Sequence, residues 1–250
     1  MEPRSRRRFA CFLLASLALR GGAVAGDAVD SNAGPIRVLF IGNSLVFENS
    51  LPLMLSRLSE YSGEPRRIEA ADVTMPRWTL ERHWDSGKAL DEIRGSKWDY
   101  VVLQEQFDRP LVSPEKMGKY AGLFDAEIRK SGARTIVFMH WTWAGKDAAT
   151  QDATTAAFTE LGKSLNVAVA PAGPAWYRVI AEKPTLALYQ SDRRHPTQAG
   201  TYLTAAVFFS VVYGKPPDPL RPMVPQGLNA DDVALLNDAA WKTVAPRMTR

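Results

Sequence analysis

Short runs of branched and aromatic residues alternate along the chain with longer stretches in which apolar residues recur every three or four positions. The first pattern is typical of buried strands, and the second is typical of helices that turn one face towards a core. Together they predict five strands, near residues 36–41, 68–73, 98–104, 133–141 and 167–170. They predict helices near residues 51–63, 80–90, 114–130, 150–165, 174–182, 197–212 and 229–244. Because strands and helices alternate, we expect an α/β fold, a three-layer α/β/α sandwich with a central, mostly parallel five-stranded sheet.

The first 25 residues differ in kind from the rest. Four arginines between positions 4 and 8 precede an apolar run over residues 9–19, and small residues follow up to Ala25. This layout predicts a secretory signal peptide that is cleaved near Ala25, and therefore a periplasmic or secreted protein. The run is too short to span a bilayer, so no stable membrane anchor is expected. Residues 5–9 also resemble a twin-arginine signal, which leaves that route and general export both open. Residues 26–35 are expected to form a flexible lead-in, and residues 36–250 a single domain.

The composition gives no evidence for a nucleic-acid partner and leaves the oligomeric state open. The predicted signal peptide carries five of the 31 basic and one of the 27 acidic side chains, so the remainder is balanced in charge. A basic pI that belongs to a cleaved segment is no evidence for nucleic-acid binding, and none is expected. The one cysteine, Cys11, lies in the same segment, so the mature chain has neither a disulfide nor a thiol nucleophile. No group of His and Cys has metal-ligand spacing, and we expect no required metal or cofactor.

A candidate nucleophile stands at the end of the first predicted strand. The apolar run over residues 36–41 stops on Gly42-Asn43-Ser44, and a helical pattern follows. In an open α/β sheet, ligands bind beyond the carboxyl ends of the strands, so a hydroxyl there is a candidate nucleophile. Serine is also a favoured N-cap, however. These three residues alone leave nucleophile and helix cap as alternatives for Ser44.

A candidate base lies near the far end of the chain. His195 belongs to a polar loop over residues 191–197, directly before an apolar helix, and Asp192 precedes it by three residues. A serine hydroxyl needs a base to take its proton, and a carboxylate that orients the imidazole improves that base. The alternative is that Asp192 only caps a turn. The position favours chemistry, because this loop and Ser44 both open onto the carboxyl-end side of one parallel sheet.

With these residues in place, the sequence resembles the SGNH hydrolases, also called the GDSL esterase and lipase superfamily. Residues 40–45, Phe-Ile-Gly-Asn-Ser-Leu, are similar to the first block of that family, with Gly-Asn-Ser in place of Gly-Asp-Ser. Residues 192–202, Asp-Arg-Arg-His-Pro-Thr-Gln-Ala-Gly-Thr-Tyr, are similar to its fifth block. The resemblance implies an SGNH or flavodoxin-like fold. It also implies Ser44 as the nucleophile, His195 as the general base and Asp192 as its orienting carboxylate.

The middle blocks depart from the family pattern. In the family, a glycine after the second strand and an asparagine after the third join the N–H of the serine in an oxyanion hole. Here the loop over residues 74–79 has no glycine, so the backbone N–H of Arg77 is the expected donor beside that of Ser44. After the third strand, the amide of Gln106, or alternatively of Gln104, is expected to replace the asparagine. Such a glutamine-rich block is similar to that of a divergent bacterial branch of the superfamily.

Other residues near the same edge are candidate substrate contacts. They are His83, on the helix after the second strand, and Trp141 and Trp143, at the end of the fourth. Exposed indole rings could stack on a sugar, whereas packing inside the core is the alternative for all three side chains. Glu105 and Asp108 offer a further alternative, a carboxylate pair of the glycosidase type.

The residues and the resemblance together predict an exported serine hydrolase of the carboxylic-ester class. Its expected substrates are small acyl esters, above all acetyl esters, on a small molecule or a carbohydrate, cleaved through an acyl-enzyme. A binding module on the same fold, with little or no catalysis, would instead hold carbohydrate without turnover. A lipase-type esterase is the other alternative, and it requires an apolar binding surface.

Overall fold

The computed structural model describes Met1, residues 34 to 218 and residues 220 to 248. The rest of the predicted signal peptide, including Cys11, and most of the predicted lead-in lie outside these residues. The strands are β1 (Ile36–Gly42), β2 (Ile68–Thr74), β3 (Tyr100–Leu103), β4 (Arg134–Met139) and β5 (Ala168–Pro171). The helices are α1 (Ser44–Phe47), α2 (Leu51–Tyr61), α3 (Leu80–Ser86), α4 (Lys88–Gly95), α5 (Arg109–Val112), α6 (Pro114–Lys130), α7 (Ala148–Leu165), α8 (Ala172–Glu182), α9 (Gln198–Tyr213) and α10 (Ala230–Met248). A single 3-10 turn, Glu48–Ser50, links α1 to α2.

The five strands form one sheet in the order β2-β1-β3-β4-β5, and every neighbouring pair is parallel. The predicted three-layer α/β/α fold with a five-stranded parallel sheet is therefore confirmed. The chain moves outwards from β1 to β2 and then crosses to β3 on the other side of β1. This reversal creates a topological switch point between β1 and β3, where the crevice beyond the strand ends favours ligand binding. Ile41 pairs with Leu103 at this point, so the loops after β1 and β3 begin side by side.

Each face of the sheet is covered by its own set of helices. Alternate β1 residues point to opposite faces, Val38 and Phe40 to one and Leu39 and Ile41 to the other, and all four are fully buried. The first face packs against α1, α2, α8, α9 and α10, and the second packs against α3, α4, α6 and α7. The inner strands β1, β3 and β4 are mostly apolar because both of their faces are covered, whereas the edge strand β2 carries the exposed Glu69 and Asp72. Among the helices described here, none is long and apolar enough to cross a membrane.

One predicted helix is divided in two. The pattern over residues 80–90 predicts a continuous helix, but the structure has α3 and α4, with Gly87 between them at a φ of 75°. The N–H of Gly87 bonds to the carbonyl of Trp84 and ends α3. Glycine takes up this left-handed conformation without the steric cost of a side chain, which is why the chain breaks there.

Candidate active site

Ser44 opens the short helix α1, directly beyond the end of β1. The N-cap of this helix is Asn43, whose side-chain oxygen accepts a hydrogen bond from the N–H of Leu45 at 3.2 Å. The alternative that Ser44 is the cap is therefore wrong, and its hydroxyl is left for other contacts. The side chain of Asn43 also donates to the carbonyl of Trp78 at 3.0 Å, which ties the turn to the loop after β2.

Gln104 supports the same turn from the neighbouring strand end. Its Oε1 accepts a hydrogen bond from the N–H of Asn43 at 2.7 Å, and its Nε2 donates to the carbonyl of Glu105. The side chain is fully buried. A Cβ on Gly42 would lie only 2.5 Å from Gln104 Oε1, so only glycine fits where the two strand ends meet.

The Ser44 hydroxyl meets the loop that precedes α9. Ser44 Oγ lies 2.8 Å from His195 Nε2, within hydrogen-bond distance. On the other side of the ring, His195 Nδ1 bonds to Oδ2 of Asp192. The second oxygen of Asp192 accepts the backbone N–H groups of Arg194 and His195, each at 3.0 Å. A proton on Nδ1 leaves Nε2 free to accept the serine proton, so the carboxylate selects the tautomer that a general base needs.

The carboxylate of Asp192 stays ionised under all ordinary conditions. Partial burial alone would raise the pKa of Asp192, but the hydrogen bonds from the ring and backbone of His195 and from the N–H of Arg194 outweigh it. Together they lower the pKa of Asp192 to about 2. An ionised carboxylate stabilises the imidazolium that forms when the ring accepts a proton.

Three contacts fix the Asp192–His195 loop against the rest of the rim. The indole Nε1 of Trp141 donates to the carbonyl of Arg194 at 3.1 Å, and the N–H of Ala144 donates to the carbonyl of Arg193 at 2.9 Å. From the other side, the Asn49 amide donates to the carbonyl of Pro196 at 2.8 Å. Asn49 has a φ of 52°, in the left-handed region that asparagine tolerates better than most residues.

The residues after His195 lock the loop onto α9. Thr197 is the N-cap of α9 and accepts the N–H of Gly200 at 3.3 Å, while its hydroxyl donates to the carbonyl of Ala187 at 2.7 Å. A Cβ on Gly200 would lie 2.5 Å from the Leu188 carbonyl and 2.6 Å from the Trp176 ring. The Pro-Thr and Gly of the fifth block therefore have a local structural reason, which is close packing of the loop, the cap and α9.

The candidate oxyanion donors differ in whether their N–H groups already donate hydrogen bonds within the protein. Within the described part of the chain, the N–H groups of Ser44 and Arg77 have no hydrogen-bond acceptor. Arg77 has a φ of 61°, the conformation that favours glycine, at the place where the family has one. Gln106 Oε1 accepts the N–H of Asp108 at 3.1 Å, which leaves the Gln106 NH₂ as a half-exposed donor. The alternate candidate, Gln104, is corrected, because its side chain is fully buried, its Oε1 accepts the N–H of Asn43 and its Nε2 donates to the carbonyl of Glu105.

Two of the three expected substrate contacts are also corrected. His83 is fully buried, with Nε2 2.8 Å from the carbonyl of Gly42, and burial lowers the pKa of its imidazole. Trp141 is fully buried as well, and its ring stacks on Trp176 at a centroid distance of 3.7 Å. Neither side chain is accessible to a substrate. Trp143 is half-buried, and the guanidinium of Arg194 covers one face of its ring.

Sequence reasoning missed the structural role of Glu105. The residue is 2% exposed, and its Oε1 accepts the N–H groups of Leu80 at 3.3 Å and Gln106 at 2.6 Å. These bonds join the start of α3 to the loop after β3. Burial raises the pKa of Glu105 to about 7 against the opposing effect of those bonds and of Arg109. Asp108 is exposed, so the two carboxyl groups occupy very different surroundings. The described residues contain no group of His, Cys, Asp and Glu that could hold a metal ion.

Solved structures resemble this chain, although no protein-family model and no curated protein matches its sequence. A protein of the DUF4886 family from Bacteroides uniformis is 17% identical, with a TM-score of 0.69 over 84% of this chain and 95% of that one. A candidate SGNH hydrolase from Slackia heliotrinireducens is 21% identical, with a TM-score of 0.60 over 71% and 99%. An acetylxylan esterase from Geobacillus stearothermophilus is 17% identical, with a TM-score of 0.58 over 72% and 95%. The chain therefore has the fold of the SGNH hydrolases.

Proposed function

We propose that this protein is an exported serine esterase that removes small acyl groups, above all acetyl, from its substrates. The observation that carries the proposal is the continuous chain of hydrogen bonds from Ser44 Oγ through the His195 ring to Asp192. Side chains 151 residues apart in sequence meet at the strand ends where α/β folds bind ligands. The likeness to an acetylxylan esterase supports the acetyl ester as the bond cleaved.

In the proposed mechanism, Ser44 attacks the carbonyl carbon of the ester while His195 Nε2 takes the hydroxyl proton. The resulting oxyanion accepts hydrogen bonds from the N–H groups of Ser44 and Arg77 and from the amide of Gln106. The imidazolium, stabilised by Asp192, then protonates the leaving alkoxide, and the acyl-enzyme remains. His195 next activates a water molecule, which releases the carboxylic acid and restores the serine.

The acyl group expected here is short, but one observation favours a lipase-type esterase as a second candidate. Three large apolar side chains are exposed in the segments that follow β2 and β3: Met75 at 39%, Leu111 at 43% and Val112 at 70%. Exposed apolar side chains near a site can bind an acyl chain. Comparing p-nitrophenyl acetate with p-nitrophenyl octanoate separates the two: a kcat/KM that falls from acetate to octanoate supports the acetyl esterase.

The discriminating experiment is hydrolysis of p-nitrophenyl acetate by the full chain and by Ser44→Ala. We expect the variant to lose activity by about 10⁴-fold or more, because a serine that acts with its base contributes as a unit. A fluorophosphonate should label the wild type and fail to label Ser44→Ala. The matched control is Ser131→Ala, at the far end of α6, which should retain both activity and labelling.

Two outcomes would overturn the proposal in different ways. Unchanged activity in Ser44→Ala would remove the nucleophile assignment. A folded wild type that neither hydrolyses the ester nor reacts with the fluorophosphonate would favour the non-catalytic carbohydrate-binding module. Binding of acetylated xylo-oligosaccharides without turnover would then be the expected property.

A further inference from the structure

Arg194 places a cationic side chain directly before the candidate base, His195, in the loop that precedes α9. The guanidinium carbon of Arg194 lies 3.7 Å from the ring centroid of Trp143, and the arginine is half-buried. Trp143 also packs edge-on against Phe107, at a centroid distance of 5.7 Å. Phe107 directly follows Gln106, the candidate oxyanion donor. The stacked pair therefore joins the loop of His195 to the loop of Gln106 at the carboxyl-end edge of the sheet.

This guanidinium has no acidic partner within the described residues. No carboxylate oxygen of that part of the chain lies within 4.0 Å of it, and the carboxylate of Asp192 is bonded to the His195 ring. Arg193, which precedes it, is exposed and likewise forms no ion pair there. Another partly buried arginine, Arg109, does pair with a carboxylate, that of Glu81, at 3.0 Å. Arg194 instead carries a positive charge without an ion-pair partner among the described residues, in the loop that holds His195.

The position of the charge is set in advance by the fold. The carbonyl of Arg194 accepts the indole N–H of Trp141, and the carbonyl of Arg193 accepts the N–H of Ala144. The indole face of Trp143 supports the planar guanidinium from one side. A side chain ordered before binding loses little entropy on binding, and the N–H groups at the edge of a stacked guanidinium can still donate.

From this geometry we propose that the natural substrate carries a carboxylate close to its ester bond, and that Arg194, stacked on Trp143, binds this carboxylate. The inference rests on the proposed esterase function and adds a substrate class to it, anionic esters. A carboxylate is the favoured anion because its two oxygens match the two parallel N–H donors of a guanidinium.

The test compares two acetyl esters that differ in charge, 4-acetoxybenzoate and its methyl ester. For each ester, kcat/KM is measured with the full-length wild type, with Arg194→Gln and with the control Arg57→Gln. Arg57 is an exposed arginine on α2, so its variant removes the same charge away from the site. We expect Arg194→Gln to reduce the anionic-to-neutral ratio of kcat/KM by about tenfold, mainly through KM. The ratio should not change in Arg57→Gln. Added salt should lower the ratio of the wild type but not that of Arg194→Gln.

The possible failures can be told apart. If the wild type hydrolyses neither ester, the proposed esterase function fails. If it hydrolyses both and Arg194→Gln leaves the ratio unchanged, the carboxylate proposal is overturned and the esterase remains. An equal loss on both esters would assign Arg194 to the structure of the loop and also overturn the proposal. A similar drop in Arg57→Gln would show a general field effect instead of a binding site.

Discussion

Glu105 and His140, the latter directly after the end of β4, are buried groups whose pKa values shift in opposite directions. Burial raises the pKa of Glu105 from 4.5 to about 7, and burial lowers the pKa of His140 from 6.5 to about 4. Between pH 4.5 and 7 the folded state keeps a proton on Glu105 that the unfolded chain releases, so this group lowers stability as pH rises. His140 acts in the opposite sense between pH 4 and 6.5, because there the unfolded chain holds the extra proton. Each effect is worth roughly 3 kcal/mol, so the two largely cancel.

The substitution Glu105→Gln removes the pH dependence of stability that comes from Glu105 and leaves that of His140. Glutamine has nearly the same shape, and its Oε1 can still accept the N–H groups of Leu80 and Gln106. We expect the variant to gain stability relative to the wild type as pH rises from 4.5 to 7, by roughly 3 kcal/mol across that range. The measurement is urea unfolding of both proteins at half-unit pH intervals, followed by circular dichroism. Contributions from His140 and His83 are common to both proteins and drop out of the difference.

A constant difference between Glu105→Gln and wild type across this pH range would refute the reasoning. It would mean that Glu105 ionises in the folded protein as it does in the unfolded chain. The control is Glu69→Gln, because Glu69 is an exposed residue on β2. It shows what the loss of an exposed carboxylate on its own does to the unfolding curves.

Three further substitutions test the supports of the candidate site. Asn49→Ala removes the bond to the Pro196 carbonyl, and we expect it to lower kcat on p-nitrophenyl acetate by about tenfold while leaving fluorophosphonate labelling detectable. Gln106→Ala should reduce kcat about a hundredfold with little change in KM, and an unchanged kcat would remove Gln106 from the oxyanion hole. Arg77→Gly keeps the backbone N–H and relieves the positive φ, so kcat should be retained and the free energy of unfolding should rise by up to about 1 kcal/mol. A loss of kcat as large as that of Gln106→Ala would show that the arginine side chain, not its N–H, is needed.

The elements and their order could be predicted because they follow from local patterns. Apolar runs marked the strands, three-to-four spacing marked the helices, and chain order put Ser44 and the Asp192–His195 loop on one edge of a parallel sheet. The break at Gly87 was missed because a glycine inside a helical pattern does not show by itself whether the helix continues. The burial of His83, in contrast, could have been predicted from the sequence. It stands three residues after Leu80, on the face that carries the buried residue, and that spacing favours burial.

The burial of Trp141 could not be predicted from local pattern. A parallel strand covered on both faces shows no polar alternation, so the sequence at its end does not indicate which way the next side chain points. The Trp141 indole turned inwards to stack on Trp176, and its N–H then reached the carbonyl of Arg194. Its contribution to the site is therefore to hold the loop of His195, which depends on contacts 53 residues away in sequence.

The glutamine-rich block after β3 has a physical explanation of the same long-range kind. Gly42 has no side chain, and the space that a Cβ would need is occupied by the Gln104 amide, whose oxygen accepts the N–H of Asn43. The residue that directly follows β3 thus supports the turn that carries Ser44, and its amide is fully buried. A donor for a reacting group must then come from elsewhere in the block. Gln106 is available because the N–H of Asp108 holds its oxygen and leaves its NH₂ unpaired within the described structure. Where the family has one asparagine, this chain has two glutamines with separate roles. Gln104 supports the turn that carries Ser44, and Gln106 is the donor in the proposed oxyanion hole.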